Sequence, residues 1–403
     1  MRNMGLDTAI KGVKVLKKSS LDLRKLAGEG RYNAHRIFST KRRWFICLKY
    51  LAVTLSHYRG MGKAADNKTV VFVKSPNQLR YWGFIEETIR EEFGPIDVFT
   101  SSGKPESDLL RVTIRFSTLA ILKQLFFLIL AFVTGRRRFL NLYFLNFQKE
   151  MDRVVLETFQ GVKHLICFND QPYDVAAVLN SLHRTSDCRT IVVQHGLILS
   201  DDFYFPTIAN EFWAWGSLSE KSFRSWSADS KLILRGRYAS DLDVMQKTYI
   251  APNDPKMINL LIAPSHKHEE VHELLDSVLF GLTEKQRSSA KIAIKLHPST
   301  KFKKRVFHSL ARKAPWLRTV FDPMEELADR YDALITKNST SAVDFLLRGK
   351  PVFFLAPEPN VEFPSLDYGF PVSDVGPLID GTHVVSKQVN AARKRFLQGA
   401  INV

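Results

Sequence analysis

From residue 69 onward, short β-branched or aromatic runs alternate with stretches of helical periodicity, and the runs break off at Ser-Pro, Asn-Asp, His-Gly or similar turn-forming residues. This rhythm constrains the fold more than any other feature. A parallel strand rejoins its sheet only through a long crossover, usually a helix, and the helices then cover both faces of the sheet. The first series of expected strands is Thr69–Val73, Ile96–Phe99, Leu140–Leu145, Leu165–Phe168, Thr190–Val193, Phe212–Trp215 and Leu232–Leu234. A polar, proline-marked stretch, Ala251–Lys256, reads as a linker. The second series follows at Asn259–Ala263, Lys291–Leu296, Arg318–Phe321, Ala333–Thr336 and Pro351–Leu355. Helices are expected at Tyr81–Glu92, Tyr173–His183, His268–Leu282, Lys303–Lys313, Met324–Tyr331 and Ala342–Arg348, with a basic helix near Lys387–Leu397.

Two such series predict an α/β protein with two Rossmann-like domains facing a central cleft, over residues 67–250 and 256–386. Residues 1–66 form an N-terminal extension, and 387–403 a terminal helix. No Gly-x-Gly-x-x-Gly follows the first strand, and there is no Walker A sequence. At 403 residues, 45% hydrophobic and 25% charged, the chain has the make-up of a folded globular protein. Its three cysteines, Cys47, Cys167 and Cys188, have no metal-like spacing and fit a reduced cytoplasmic compartment.

The net charge of +17 is unevenly spread. Residues 1–63 carry 15 Lys or Arg against Asp7, Asp22 and Glu29, which is +12, so only +5 remains for the other 340 residues. Within this extension Trp44, Phe45, Leu48, Leu51, Ala52 and Leu55 share one helical face flanked by Arg42, Arg43, Lys49 and Arg59. The face suits either a helix lying on an anionic membrane surface or one packed on the body of the protein. No nucleic-acid motif accompanies the charge, so nucleic acid is not the expected partner. No cleavable signal peptide is apparent. The segment Phe116–Thr134 is strongly apolar, but Lys123 and Gln124 interrupt it. Crossing a bilayer takes about 20 consecutive apolar residues, so a buried or membrane-dipping helix is expected instead.

Two polar clusters stand at strand ends in the second series. One is Lys295-Leu296-His297-Pro298-Ser299; the other runs from Lys337-Asn338-Ser339-Thr340-Ser341 through Asp344 to Gly349. Ligands of open α/β sheets bind beyond the carboxyl ends of the strands, so both clusters should line one site. Pro298 stops the strand and presents His297, which can bond or protonate a phosphate oxygen. Lys295 alternates with it and either joins the site or points away. Ser339, Thr340 and Ser341 stand where a strand turns into a helix, and three hydroxyls exceed what an N-cap needs. Backbone N–H groups there suit an anion. Asp344, on the first turn, can reach a ribose hydroxyl or complement the helix dipole.

In the first series His195 ends a strand before Gly196, and Asp170 ends its neighbour. A histidine titrating near neutrality suits a general base for a hydroxyl, and Asp170 can orient it or be the base itself. Asp201 and Asp202 read as a solvated loop, Trp213 and Trp215 as core, and His266, His268 and His272 as a surface cluster. No metal site is expected.

The order of these pieces, with Gln194-His195-Gly196 after one strand, Lys295-Leu296-His297-Pro298 after another and Ser339-Thr340-Ser341 opening a helix, resembles bacterial glycosyltransferases of the GT-B fold that build surface polysaccharides. Such enzymes include capsule Kdo transferases, sialyl- and polysialyltransferases, and CDP-glycerol glycerophosphotransferases of teichoic acid synthesis. The resemblance covers about residues 165–357. It implies that His297 and Ser339, Thr340 or Ser341 hold the phosphate of a cytidine nucleotide. His195 matches the histidine-glycine pair that supplies the base in the glycerophosphotransferases. This chain departs in having Gln194 where those enzymes have an aromatic residue, and Asp201-Asp202 is followed by Phe203 where the sialyltransferases have glycine. The base therefore stays open between His195 and Asp170. The resemblance implies an inverting transferase at the cytoplasmic face of the membrane, with a CMP-activated sugar as donor, a glycan or lipid-linked glycan as acceptor, and no metal or other cofactor. Alternatives on the same fold are a CDP-glycerol transferase and a UDP-sugar transferase. A GT-B-like scaffold that binds glycan or protein without catalysis is the alternative of another class.

Overall fold

The structure, a computed structural model, describes residues 51, 65–100, 116–170, 173–196, 207–217, 219–220, 223, 230–235, 258–264, 281–296, 312, 314–336, 341–355, 370–372, 376–380, 389–391 and 394–395. They form two compact units, each built around a six-stranded sheet.

The first unit holds strands β1 (Thr69–Val73), β2 (Ile96–Thr100), β3 (His164–Cys167), β4 (Arg189–Val193), β5 (Glu211–Ala214) and β6 (Lys231–Leu234), in the order β2-β1-β3-β4-β5-β6. The pairs β1–β2, β1–β3, β3–β4 and β4–β5 are parallel. Every residue of β1 and of β5 is buried. Continuous burial explains the apolar runs Val70–Val73 and Phe212–Ala214 within them, since helices cover both faces of a parallel sheet.

Local signals set the helix ends. Helix α1 (Pro76–Phe93) begins at Ser75, whose hydroxyl accepts from the Gln78 amide at 3.2 Å, with Pro76 in the first turn. It starts five residues before the expected Tyr81, because Ser75-Pro76 opens the helix as well as closing the strand. Helix α2 (Thr118–Thr134) is capped by Ser117 and ends at Gly135 in the left-handed region, φ 66°.

One expected strand is absent. Leu140–Leu145 belongs to helix α3 (Arg137–Thr158). The six residues Leu140-Asn141-Leu142-Tyr143-Phe144-Leu145 fit either period. Over the longer window, Leu140, Tyr143, Phe144, Phe147, Met151, Val154 and Val155 are buried, which is a 3.6-residue period. Helices α2 and α3 pack on one another, and α3 packs on α4 (Tyr173–Thr185). No described helix is long and apolar enough to cross a membrane.

The second unit holds β7 (Ile258–Ala263), β8 (Ala290–Ile294), β9 (Arg318–Thr319), β10 (Ala333–Thr336), β11 (Val352–Leu355) and β12 (Phe370–Val372). Their order is β12-β11-β10-β7-β8-β9, and every adjacent pair is parallel. Counted from β7 this is the 3-2-1-4-5-6 order of the doubly wound dinucleotide-binding fold. Its short helices are α5 (Glu284–Ser288), α6 (Met324–Arg330), α7 (Ser341–Leu347) and α8 (Gly376–Ile379). Its core gathers Leu260, Ile262, Ile292, Ile294, Ile335 and Phe353 from the sheet. The expected helices His268–Leu282 and Lys303–Lys313 and the N-terminal extension lie almost wholly outside the described residues.

Candidate functional site

In the first unit the strand order reverses between β1 and β3, so the carboxyl ends of β1, β3 and β4 form the switch-point edge. Cys167 of β3 pairs with Val192 of β4. Asp170 and His195 each follow three residues later, so they occupy equivalent positions beyond adjacent strand ends. Their surroundings differ. Asp170 is fully buried, and one carboxylate oxygen accepts the backbone N–H groups of Ile208 and Ala209, the latter at 3.3 Å. It thereby fastens the stretch that enters β5. Ser230 supports the same stretch by donating to the Ala209 carbonyl at 2.8 Å.

His195 is half-buried. Its ring meets Phe168 edge-on, with centroids 5.9 Å apart. Burial pushes its pKa down to about 4, although a hydrogen bond to the Phe168 backbone pulls the other way. The imidazole is therefore neutral at pH 7, where the sequence suggested titration near neutrality. Its neighbour Gln194 is buried, and the Gln194 amide donates to the Trp213 carbonyl at 3.0 Å, which fixes the strand end from which His195 projects. Trp213 and Trp215 are core residues as expected, and the Trp213 indole donates to Glu211 at 3.0 Å. Cys167 and Cys188 are buried free thiols; burial raises the Cys188 pKa to about 12, which leaves it unreactive.

In the second unit the switch point lies between β7 and β10. The Thr336 hydroxyl at the end of β10 donates to the Ala263 carbonyl at the end of β7, at 2.7 Å, and ties the two strand ends together. β8 lies on the other side of β7. The two polar clusters of the sequence therefore issue from strands that flank a single central strand. Of their residues, Lys295, Ser341 and Asp344 are described, whereas His297, Ser339 and Thr340 lie outside the described residues. Lys295 turns toward β9: its ammonium donates to the Phe321 carbonyl at 3.2 Å and the Asp322 carbonyl at 2.5 Å. Ser341 opens α7, and Asp344 is buried in its first turn. Gly349 stops the helix as expected, with φ 70°, and Lys350 N–H closes a bond to the Phe345 carbonyl at 2.9 Å.

Among the described residues no group of three His, Cys, Asp or Glu could hold a metal ion. Asp201, Asp202, His266, His268 and His272 lie outside the described residues. Sequence reasoning could not see the partners of Asp170, because two backbone N–H groups leave no trace in residue identity.

No protein-family model matches the chain. No curated protein sequence matches it either. Solved structures do. A Listeria monocytogenes protein assigned as a UDP-N-acetylglucosamine 2-epimerase aligns at TM-score 0.52 and 11% identity, covering 84% of this chain and 92% of that one. The Methanocaldococcus jannaschii UDP-GlcNAc 2-epimerase, solved with UDP-GlcNAc and UDP, aligns at TM-score 0.52 and 11% identity, covering 82% and 99%. The wall teichoic acid polymerase TagF aligns more loosely, at TM-score 0.48 and 13% identity over 90% and 92%. At such identities the likeness speaks for the fold. With the two parallel sheets, it gives an α/β protein of the GT-B class.

Proposed function

We propose that the protein is an inverting glycosyltransferase that uses a nucleotide-activated sugar, a CMP-linked one in the first instance, to extend a bacterial surface glycan. The carrying observation is the strand order of the second unit: β8 and β10, which lead in sequence to His297 and Ser341, flank β7, and the switch point, where α/β sheets take nucleotides, lies between β7 and β10. Residues 256–386 would hold the donor and residues 67–250 the acceptor.

In this reading neutral His195 takes the proton of an acceptor hydroxyl. The freed oxygen attacks the anomeric carbon, the bond from that carbon to the phosphate oxygen breaks, and CMP departs with the electron pair. The proton on His195 then passes to solvent. A base with a low pKa is weak but fully available at pH 7. His195 is preferred to Asp170 because the carboxylate already accepts two buried N–H groups. His297 and the hydroxyls of Ser339, Thr340 and Ser341 would meet the charge growing on the phosphate, without metal. Lys295, bonded to two carbonyls, is left a supporting role.

The test is CMP titration followed by donor screening. CMP should raise the melting temperature, and His297→Ala should abolish both that rise and turnover. Consumption of CDP-glycerol instead of a CMP-sugar would make the protein a glycerophosphotransferase, and response to UDP alone would move the donor class. Absence of any shift with CMP, CDP and UDP would remove the enzyme reading. We further propose work at the cytoplasmic face of the membrane, supported by the +12 of residues 1–63. Failure of the full chain to float with anionic vesicles would refute that location.

A further inference from the structure

Helix α2 has two unlike faces. Ala120, Ile121, Gln124, Leu128 and Ala131 are buried. On the opposite side Leu119, Leu122, Phe126, Ile129 and Val133 are 56 to 68% exposed. These side chains recur at i, i+3, i+7, i+10 and i+14, so they form one stripe about 21 Å long at 1.5 Å per residue. Scattered exposed apolar residues are ordinary on soluble proteins, but a contiguous stripe of this length marks a contact surface.

The charge beside the stripe is of one sign. Lys123, at its margin, and Arg136 and Arg138, just past its carboxyl end, are exposed. From Ser117 through Lys149 the chain contains no Asp or Glu. The guanidinium of Arg138 lies 4.7 Å from the centroid of the Phe139 ring, which holds the charge beside apolar surface. The first acid after this run, Glu150, is buried and accepts the Ser117 N–H at 2.5 Å, so it is spent on the amino end of α2.

We infer that the exposed face of α2 lies in the interfacial layer of an anionic lipid membrane. The inference rests on the proposed membrane location and names the surface that makes the contact. Such a layer offers hydrocarbon for the stripe and phosphate for its cationic border at once. Lys123 fits this orientation, because its methylenes can lie along the stripe while its ammonium reaches the headgroups. A protein partner would need an equally long apolar strip with an acidic border. Helix α2, at 17 residues, is too short to cross a membrane, and its buried face is already committed to the first unit.

The experiment is flotation of the full chain with vesicles of phosphatidylcholine containing about a third phosphatidylglycerol, compared with the variant Leu122→Glu/Ile129→Glu/Val133→Glu. Wild type should float. The variant should lose about tenfold in partitioning, including the part that survives high salt, because that part follows buried apolar area. Its melting temperature should hold, since all three positions are exposed. If it falls, Lys123→Glu/Arg136→Glu/Arg138→Glu replaces it and should cut binding to the anionic vesicles equally. Equal flotation of wild type and variant would overturn the inference while leaving membrane location standing. If wild type does not float, membrane location itself fails and the inference with it. If the variant changes a dimer into a monomer by light scattering while flotation is unaltered, the face joins two copies and the inference is wrong.

Discussion

The two sheets are both six-stranded and parallel wherever their pairing is described, yet they differ in order. The first runs β2-β1-β3-β4-β5-β6, and the second, counted from β7, runs 3-2-1-4-5-6. In the first unit the connection from β2 to β3 contains α2 and the 22-residue α3, and β3 returns on the far side of β1. In the second, β9 continues outward beside β8, and it is β10 that crosses back to β7. The switch point therefore falls after the second strand of one series and after the third strand of the other. The chemistry differs as well. The first edge presents a histidine and a carboxylate engaged with their own backbone. The second presents strand ends joined by a hydroxyl, with polar clusters on either side of the central strand. The difference teaches that one rhythm of strands and helices can carry two kinds of strand-end surface.

The largest expected effect is on the first edge. His195→Gln should lower kcat by about 10²–10⁴, the usual worth of a general base, and leave the CMP-induced melting shift unchanged. Loss of the shift as well would erase the division of labour between the two edges. Because burial holds His195 down to about 4, the acid limb of kcat/KM should fall near pH 4 and not near the ordinary 6.5. The same depression makes a stability prediction. Between pH 6.5 and 4 the unfolded chain binds a proton at this site that the folded chain excludes, so acidification through that window favours unfolding. His195→Gln should flatten that part of the stability profile.

Asp170 sharpens the comparison next. Asp170→Ala leaves two buried N–H groups unpaired and should cost about 1–3 kcal/mol in denaturant unfolding. Asp170→Asn keeps an acceptor oxygen and should retain most of the stability and the turnover. Lost turnover at unchanged stability would make Asp170 the base instead. On the second edge, Thr336→Val should cost about 1 kcal/mol by unpairing the buried Ala263 carbonyl. It should also weaken CMP binding if the two strand ends frame the nucleotide. The smallest effect belongs to Lys295→Met, about 1 kcal/mol or less, with nucleotide affinity unchanged. A tenfold rise in the CMP Kd would return Lys295 to the donor site.

Much of this was readable from residues alone. Thr69–Val73 and Ala333–Thr336 were delimited to the residue, because continuous apolar runs with abrupt ends are what doubly covered strands require. Leu140–Leu145 misled because a six-residue window cannot separate a period of 2 from one of 3.6. β12 escaped notice because Phe370–Val372 is short and contains Pro371, which only an edge position such as this one tolerates. For the site, sequence brought His195, Asp170 and Lys295 forward on residue type. It could not weigh them, because their partners lie 26 to 39 residues away or in surrounding apolar atoms.

The sequence by itself determined the α/β class and the helix stop at Gly349. Each depends on steric and hydrogen-bonding preferences acting within a few residues. Only the tertiary structure decided which strands lie side by side, and hence that the strand ends leading to His297 and Ser341 flank β7. It also decided that Asp170 is used internally, that His195 is neutral at pH 7, and that half of the apolar helix α2 faces outward. Those outcomes depend on long-range pairing and on desolvation, which arise only when distant segments displace water from one another.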